Sequence, residues 1–184
     1  MTKLDDIYEA TADTRGMITS QEARELGISN NELVQFAHRG KLTRLGQGLY
    51  RVEWYSPTEE DPYAEAVALA GPDAFLWGES VLGLLKLAPT NPAYIQVATT
   101  RRVRRTLPPH IRLTHVEEGA PVTSYVGIPS QPAADAIRSC MGHMMPERLA
   151  EAVDEAKRLG HITPAEADDL LSDLGAACQD IVFI

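Results

Sequence analysis

The stretch from Gly16 to Val52 constrains this chain more than any other, because its start and stop signals stand too close together for long elements. Thr19-Ser20-Gln21-Glu22 sets a hydroxyl residue at a helix N-cap and a carboxylate three positions on, so that the two side chains satisfy backbone N–H groups orphaned at the helix start. Ser29-Asn30-Asn31-Glu32 repeats the arrangement ten residues later. Gly27 and Gly40 stand where a left-handed residue without a Cβ ends each helix. Two short helices joined by a tight Gly27-Ile28-Ser29 turn are predicted. The segment Lys41 to Val52 then reads as strand, Gly46-Gln47-Gly48 turn and strand. Alternation breaks between Leu42 and Leu45, which predicts a bulge or early twist and leaves open which face Arg44 takes.

At about 100° per residue, the second helix turns Leu33, Phe36 and Ala37 toward the first, with Ala23 and Leu26 facing them. Asn31, Gln35 and His38 share the opposite side. Uncharged hydrogen-bonding side chains at i, i+4 and i+7 suit base edges in a DNA major groove, since amides pair bidentately with adenine. They equally suit water, because a polar outward face is the norm for a helix of a globular protein. The hairpin tips the balance toward a polyanion. Between Ser29 and Val52, the basic residues Arg39, Lys41, Arg44 and Arg51 face only Glu32, in a chain whose net charge is −9. Helix, turn, helix and basic hairpin together outline a winged helix-turn-helix.

The rest of the composition limits the alternatives. With 184 residues, 44% hydrophobic and 23% charged, the chain is expected to form one or two ordinary globular domains. No apolar run approaches the ~20 residues of a membrane span, and Met1-Thr2-Lys3-Leu4-Asp5-Asp6 lacks the start of a signal peptide. A cytoplasmic protein with no membrane partner is expected. Cys140 and Cys178 are too few and too isolated for a disulfide framework or a zinc site, so reduced thiols are expected. An acidic body repels phosphate wherever no basic patch faces it, so nucleic-acid binding has to be oriented through a small docking face.

In chain order, Leu4, Ile7, Tyr8 and Ala12 predict a first helix under the capped pair, and Met17-Ile18-Thr19 a short extended segment. The exit Glu53 to Pro62 is acidic and twice interrupted by proline, which places a boundary between a DNA-binding domain at 1–55 and a second domain at 56–184. A helix begins at Pro62 and stops at Gly71-Pro72; another, almost wholly apolar, is predicted from about Ala74 to Leu87. Within it, Trp77 and Ser80 read as packing residues. Residues 94–99, 111–116 and 123–128 are β-like, and helices are predicted over 133–141, 146–159 and 164–174, the last opened by the capping box Thr163-Pro164-Ala165-Glu166. No pattern is legible from Ala176 onward. The fold class is therefore mixed α/β: an N-terminal winged helix-turn-helix followed by a C-terminal α/β domain with a small sheet and several helices. Between the first two β-like runs lie Arg101, Arg102, Arg104 and Arg105. The arginine fork suits phosphate, yet a charge run is commonly a solvated loop, and both readings stay open.

No constellation for chemistry emerges. The five histidines have no metal-site spacing, and no phosphate-cradling glycine loop or nucleophile elbow is present. Asp154-Glu155-Ala156-Lys157 resembles the Glu-x-Lys of restriction-type nucleases, but that site is built on strands, whereas Leu149, Ala150, Val153, Ala156 and Leu159 here have helical period. A protein that is not an enzyme and holds no cofactor or metal is expected.

The motifs Gly16-x-Ile18-Thr19-Ser20-x-Glu22-Ala23, Gly27-Ile28-Ser29 and Gly40-x-Leu42-x-Arg44-Leu45-x-x-Gly48-x-Tyr50-Arg51 resemble the N-terminal winged-helix domain of AbiEi-type antitoxins, the regulators of type IV toxin–antitoxin systems. Beyond it, Trp77 to Leu84 stands where that family has a small-residue helix, and Val122-Thr123-Ser124 where it has a short strand. The resemblance implies a repressor that binds inverted repeats in its own promoter and counteracts a nucleotidyltransferase-like toxin without forming a stable complex. It implies base-edge contacts from Asn31, Gln35 and His38, and backbone contacts from Ser29, Arg39, Lys41, Arg44 and Gln47. A plain regulator whose second domain senses a ligand or mediates assembly is the first alternative, and a restriction-type nuclease the second.

Overall fold

The computed structural model describes residues 2–89 and 93–180, with side chains through Ala176, so the reading of Cys178 lies outside the described residues. Its contacts gather into two units, Met1–Pro72 with Val103–Pro108, and Asp73–Arg102 with Pro109–Ile184.

The first unit runs α1 (Lys3–Ala10), β1 (Met17–Thr19), α2 (Ser20–Glu25), α3 (Asn30–His38), β2 (Leu42–Gly46), β3 (Leu49–Val52) and α4 (Asp61–Ala70). Both capping boxes form as the spacing requires. The Thr19 amide donates to Glu22 Oε2 at 2.7 Å and the Glu22 amide to Thr19 Oγ1 at 3.2 Å; the Ser29–Glu32 pair does the same at 2.9 and 3.3 Å. Gly27 and Gly40 end the two helices at φ of 74° and 72°, a conformation that costs other residues a Cβ clash. Between the helices Ile28 is fully buried, joining Ile7, Ile18, Ala23, Leu33, Leu42, Tyr50 and Val52 in one core. Phe36 and Ala37 pack against it as the helix period predicts. Leu26, expected to face α3, is 40% exposed. The six-residue α2 ends before it, and Ile28 takes that place instead.

The strands form an antiparallel sheet in the order β1-β3-β2, with Ile18 opposite Tyr50 and Thr43 opposite Arg51. The register shifts between Arg44 and Gly46, which is the irregularity that the broken alternation predicted. Central β3 is buried on both faces. Tyr50 and Val52 enter the core, whereas Leu49 and Arg51, by the period of two, turn to the other side.

That other side belongs to α4, and the first compact unit runs on to Pro72, past the boundary expected at 55/56. Arg51 is 5% exposed. Its Nη1 meets Glu65 Oε1 at 2.6 Å, its Nη2 lies 3.6 Å from Asp61 Oδ2, and its Nε donates to the Arg15 carbonyl. Arg15 Nη1 reaches Asp61 Oδ1 at 2.9 Å, where the Tyr55 hydroxyl also donates, at 3.1 Å. The acidic, proline-broken exit has the composition of a solvated linker, yet Asp61 within it and Glu65 just beyond it are partners of arginines. Arg51 is therefore withdrawn from the basic face to which its charge had been assigned. Gly46 completes the docking of α4, since a Cβ there would lie 2.5 Å from Leu69 Cδ2.

The second unit contains β4 (Phe75–Leu76), α5 (Glu79–Leu84), β5 (Ile95–Thr99), β6 (Ile111–His115), β7 (Thr123–Tyr125), β8 (Ile128–Ser130), α6 (Ala133–Ser139), α7 (Pro146–Arg158) and α8 (Pro164–Asp180). Its sheet runs β6-β5-β4-β8-β7 with mixed strand directions. The helix predicted over 74–87 is in fact two elements. Phe75 and Leu76 pair with Ala98 and Val97, and Gly78 at φ 52° turns the chain into α5. Buried strand and buried helix are equally apolar, so period could not divide them. Ser80 is fully buried and accepts a hydrogen bond from the Gln96 amide at 2.7 Å, which is a packing role. Among the described residues no helix is long and apolar enough to cross a membrane.

The Asp61 carboxyl is buried, which alone would raise its pKa, but the Thr58 amide, Arg15, Tyr55 and Arg51 together hold it below its ordinary 3.8. Its ionised form therefore stabilises the fold above that value, and the contribution disappears as pH falls through the lowered pKa. Asp61→Asn is expected to cost about 3–5 kcal/mol in urea unfolding at pH 7, because it strands two arginines that it had compensated. Below pH 3.8 the difference from the natural chain should shrink.

Candidate nucleic-acid interface

Helix α3 carries the candidate reading face. Asn31, Gln35 and His38 are all exposed, and among the described residues none has a side-chain hydrogen bond. The helix is fixed from behind by Leu33 and Phe36 and from below by its cap. Lys3 Nζ on α1 donates to Glu32 Oε1 at 2.8 Å and to the Gly27 carbonyl at 3.0 Å, pinning both ends of the inter-helix turn. Lys3 first, then the Ser29 amide and hydroxyl, draw the Glu32 carboxyl down to about 2. The acid nearest the start of α3 is thus compensated within the protein. The Ser29 hydroxyl is engaged there too, donating to Glu32 Oε2 at 2.9 Å while accepting from the Glu32 amide.

The cations divide by their partners. Arg39 and Arg44 are exposed and have no ion pair among the described residues; Arg44 Nε donates to the Gly46 carbonyl at 3.3 Å. Lys41 is exposed but lies 3.3 Å from Glu53, which also accepts from the Tyr8 hydroxyl at 2.6 Å. Burial first and Glu53 second push that phenol up to about 12. His38 on α3 and Arg44 on β2 line one open groove together with Val34 and Thr43. Gln47, at the turn of the hairpin, lies elsewhere. The Ser20 amide donates to the Gly48 carbonyl at 2.8 Å, folding the turn against the start of α2, and Gln47 lines a second groove with Gln21, Arg24 and Arg105.

The arginine run is shared between the two units: Arg101 and Arg102 belong to the second, Arg104 and Arg105 to the first. All four are exposed, and Arg101 Nε pairs with Asp73 Oδ2 at 2.9 Å. Two residues of these grooves went unnoticed in the sequence. Arg24 on α2 was hidden among Glu22 and Glu25, and Val34 was passed over because it is apolar, although the helix wheel sets it beside His38.

Asp154, Glu155 and Lys157 lie on α7, where Glu155 Oε2 accepts from Arg158 Nε at 2.7 Å. Among the described residues no three His, Cys, Asp or Glu side chains are grouped to hold a metal ion. Cys140 is buried, and burial pushes its thiol up to about 12, far from a reactive thiolate.

The succession of helix, strand, helix, turn, helix and hairpin, with β1 closing the hairpin sheet, is the architecture of a DNA-binding winged-helix regulator. Within that class, residues 5–52 match the model of the family described as transcriptional regulator, AbiEi antitoxin. The matched span contains every motif from Gly16 to Arg51 on which the resemblance was drawn. No curated protein matches the chain.

The cap geometry gives Ser29 a structural duty that can be separated from DNA contact. Ser29→Ala is expected to lower the stability of the chain by about 1 kcal/mol, and Ser29→Asp to restore it, since aspartate caps a helix as well as serine. Urea midpoints of the three chains check this.

Proposed function

We propose that the chain is a sequence-specific DNA-binding repressor that sets α3 into the major groove, with Asn31, Gln35 and His38 on base edges and Arg39, Lys41, Arg44 and Gln47 on flanking phosphates. The observation that carries this reading is the row of exposed amide and imidazole groups on a capped helix, bordered by Arg39 and Arg44, none of which has a side-chain partner carboxylate among the described residues. Ser29 contributes by capping the reading helix. The net charge of −9 supports an oriented approach, because an acidic body repels phosphate wherever no basic patch faces it. The protein works in the cytoplasm and catalyses no reaction.

The family match over residues 5–52 supports a finer assignment. On it, the chain represses its own operon through inverted repeats and serves as the antitoxin of a type IV toxin–antitoxin system, counteracting a nucleotidyltransferase-like toxin without a stable complex. A second reading keeps the repressor and omits the toxin, and it is favoured by the extent of the match, which ends at residue 52 and leaves the second unit outside it. Co-expression with a nucleotidyltransferase encoded beside this gene separates the two: rescue of growth supports the antitoxin, and arrest despite soluble, full-length chain supports the plain regulator.

Binding to promoter and scrambled duplexes at several salt concentrations tests the DNA contacts. Gln35→Ala or Asn31→Ala is expected to cost about 1–3 kcal/mol on the promoter site and to leave scrambled DNA almost unaffected. Arg44→Ala should weaken both duplexes alike and flatten the slope of log K against log salt by about 0.9. Equal loss on both duplexes for Gln35→Ala would remove α3 as the reader. Replacing Arg101, Arg102, Arg104 and Arg105 by alanine together should flatten the slope by about 0.9 for every phosphate contact that is lost, and an unchanged slope would assign the run to solvent.

A further inference from the structure

We propose that Val34 is a specificity-determining residue whose isopropyl group packs on the C5-methyl of a thymine in the major groove. The inference rests on α3 being the reading helix. Single exposed apolar residues are common on any protein surface, so exposure alone says little. Val34 differs in its position. It is 41% exposed on α3, three residues from Asn31 and four from His38, which makes it a surface neighbour of both. With His38, Thr43 and Arg44 it lines the groove between α3 and β2, beside a cation suited to phosphate.

The core does not need it. Leu33 is fully buried and Phe36 and Ala37 complete the inner side of the helix, while Val34 stays outside. Valine is also a weaker helix former than Glu32 and Gln35 beside it, so neither packing nor helix propensity accounts for its presence.

Major-groove chemistry does. Valine can neither donate nor accept a hydrogen bond, so its favourable partner among base edges is the one apolar group displayed there, the methyl of thymine. Asn31 and Gln35 next to it carry the amides that pair with adenine N6 and N7. Amide and methyl contacts in one helix face together read the two strands of A·T-containing steps, and Val34 supplies the contact to the thymine methyl, which no hydrogen bond can read.

Duplexes selected from a random-sequence pool by the full-length chain provide the probe. Each thymine of the selected site is then replaced by deoxyuracil, which removes only the methyl and leaves every hydrogen-bonding group in place. The natural chain is expected to lose affinity about three- to fivefold at one thymine position per α3 contact, the value of one buried methyl. Val34→Ala should lose a similar factor on the thymine duplex and be indifferent to uracil at that position, the non-additivity expected of two groups in contact. Indifference of the natural chain to every thymine replacement overturns the inference without using any variant, as does a Val34→Ala chain that keeps the full thymine-to-uracil ratio. Failure to bind any duplex would instead overturn the DNA-reading assignment on which the inference stands.

Discussion

Arg51 reaches from the central strand of the small sheet into the space under α4, and a guanidinium cannot give up its charge to suit a dry site. Only carboxylates make such burial tolerable, and Glu65 and Asp61 supply them from successive turns of α4. One nitrogen, Nη2, has no hydrogen-bond partner among the described residues; it lies 3.6 Å from Asp61 Oδ2, and the guanidinium carbon stands 5.0 Å from the centre of the Tyr55 ring. A buried pair of this kind adds little net stability over a well-packed apolar one, but it is unforgiving about position. Asp61 also binds Arg15 at the entry to β1 and the Tyr55 hydroxyl beyond β3. One carboxylate thereby fixes both outer connections of the sheet, and the sheet in turn carries β2 beside α3. The hairpin that would touch DNA is held by groups on its far side.

This dependence separates what could be read in the sequence from what could not. Capping boxes, terminal glycines and the amphipathic face of α3 are local, with cause and consequence within four residues, and the residues from Thr19 to Gly40 announce them directly. Arg51 sits 10 residues from Asp61 and 14 from Glu65, across a segment rich in proline and acid that has the composition of a linker. No periodicity links such partners. The same limit hid β4, since Phe75-Leu76 acquires its identity only from Val97 and Ala98 across the sheet. It also misplaced Leu26, where the shortness of α2 let Ile28 fill the core.

The candidate site shows the same division. Asn31, Gln35 and His38 were legible because exposure on a helix follows from its period, and all three are exposed. The state of each charge was not legible. Lys41 shares Glu53 with Tyr8 and Arg51 is buried, so a count of basic residues overstated the field that the face can project. Val34 was overlooked for the opposite reason. Counting polar groups on a reading face excludes the one apolar base-edge partner a major groove contains.

A face with few uncompensated cations has a consequence for how such a protein would choose DNA. Non-specific affinity grows with the number of phosphates neutralised, and Arg39 and Arg44 supply little of it against a chain of net charge −9. On the proposed reading, most of the binding free energy would then come from base-edge contacts, each of which is lost when the sequence is wrong. One helix carrying Asn31, Val34, Gln35 and His38 spans only a few base pairs, too few to single out one site in a genome. Doubling the contacts on two symmetric half-sites multiplies specificity while the weak phosphate field keeps the protein from being held elsewhere. On the proposed DNA-reading role, an operator of paired half-sites, which the resemblance to AbiEi-type antitoxins implies, suits this balance of charge and polar contacts.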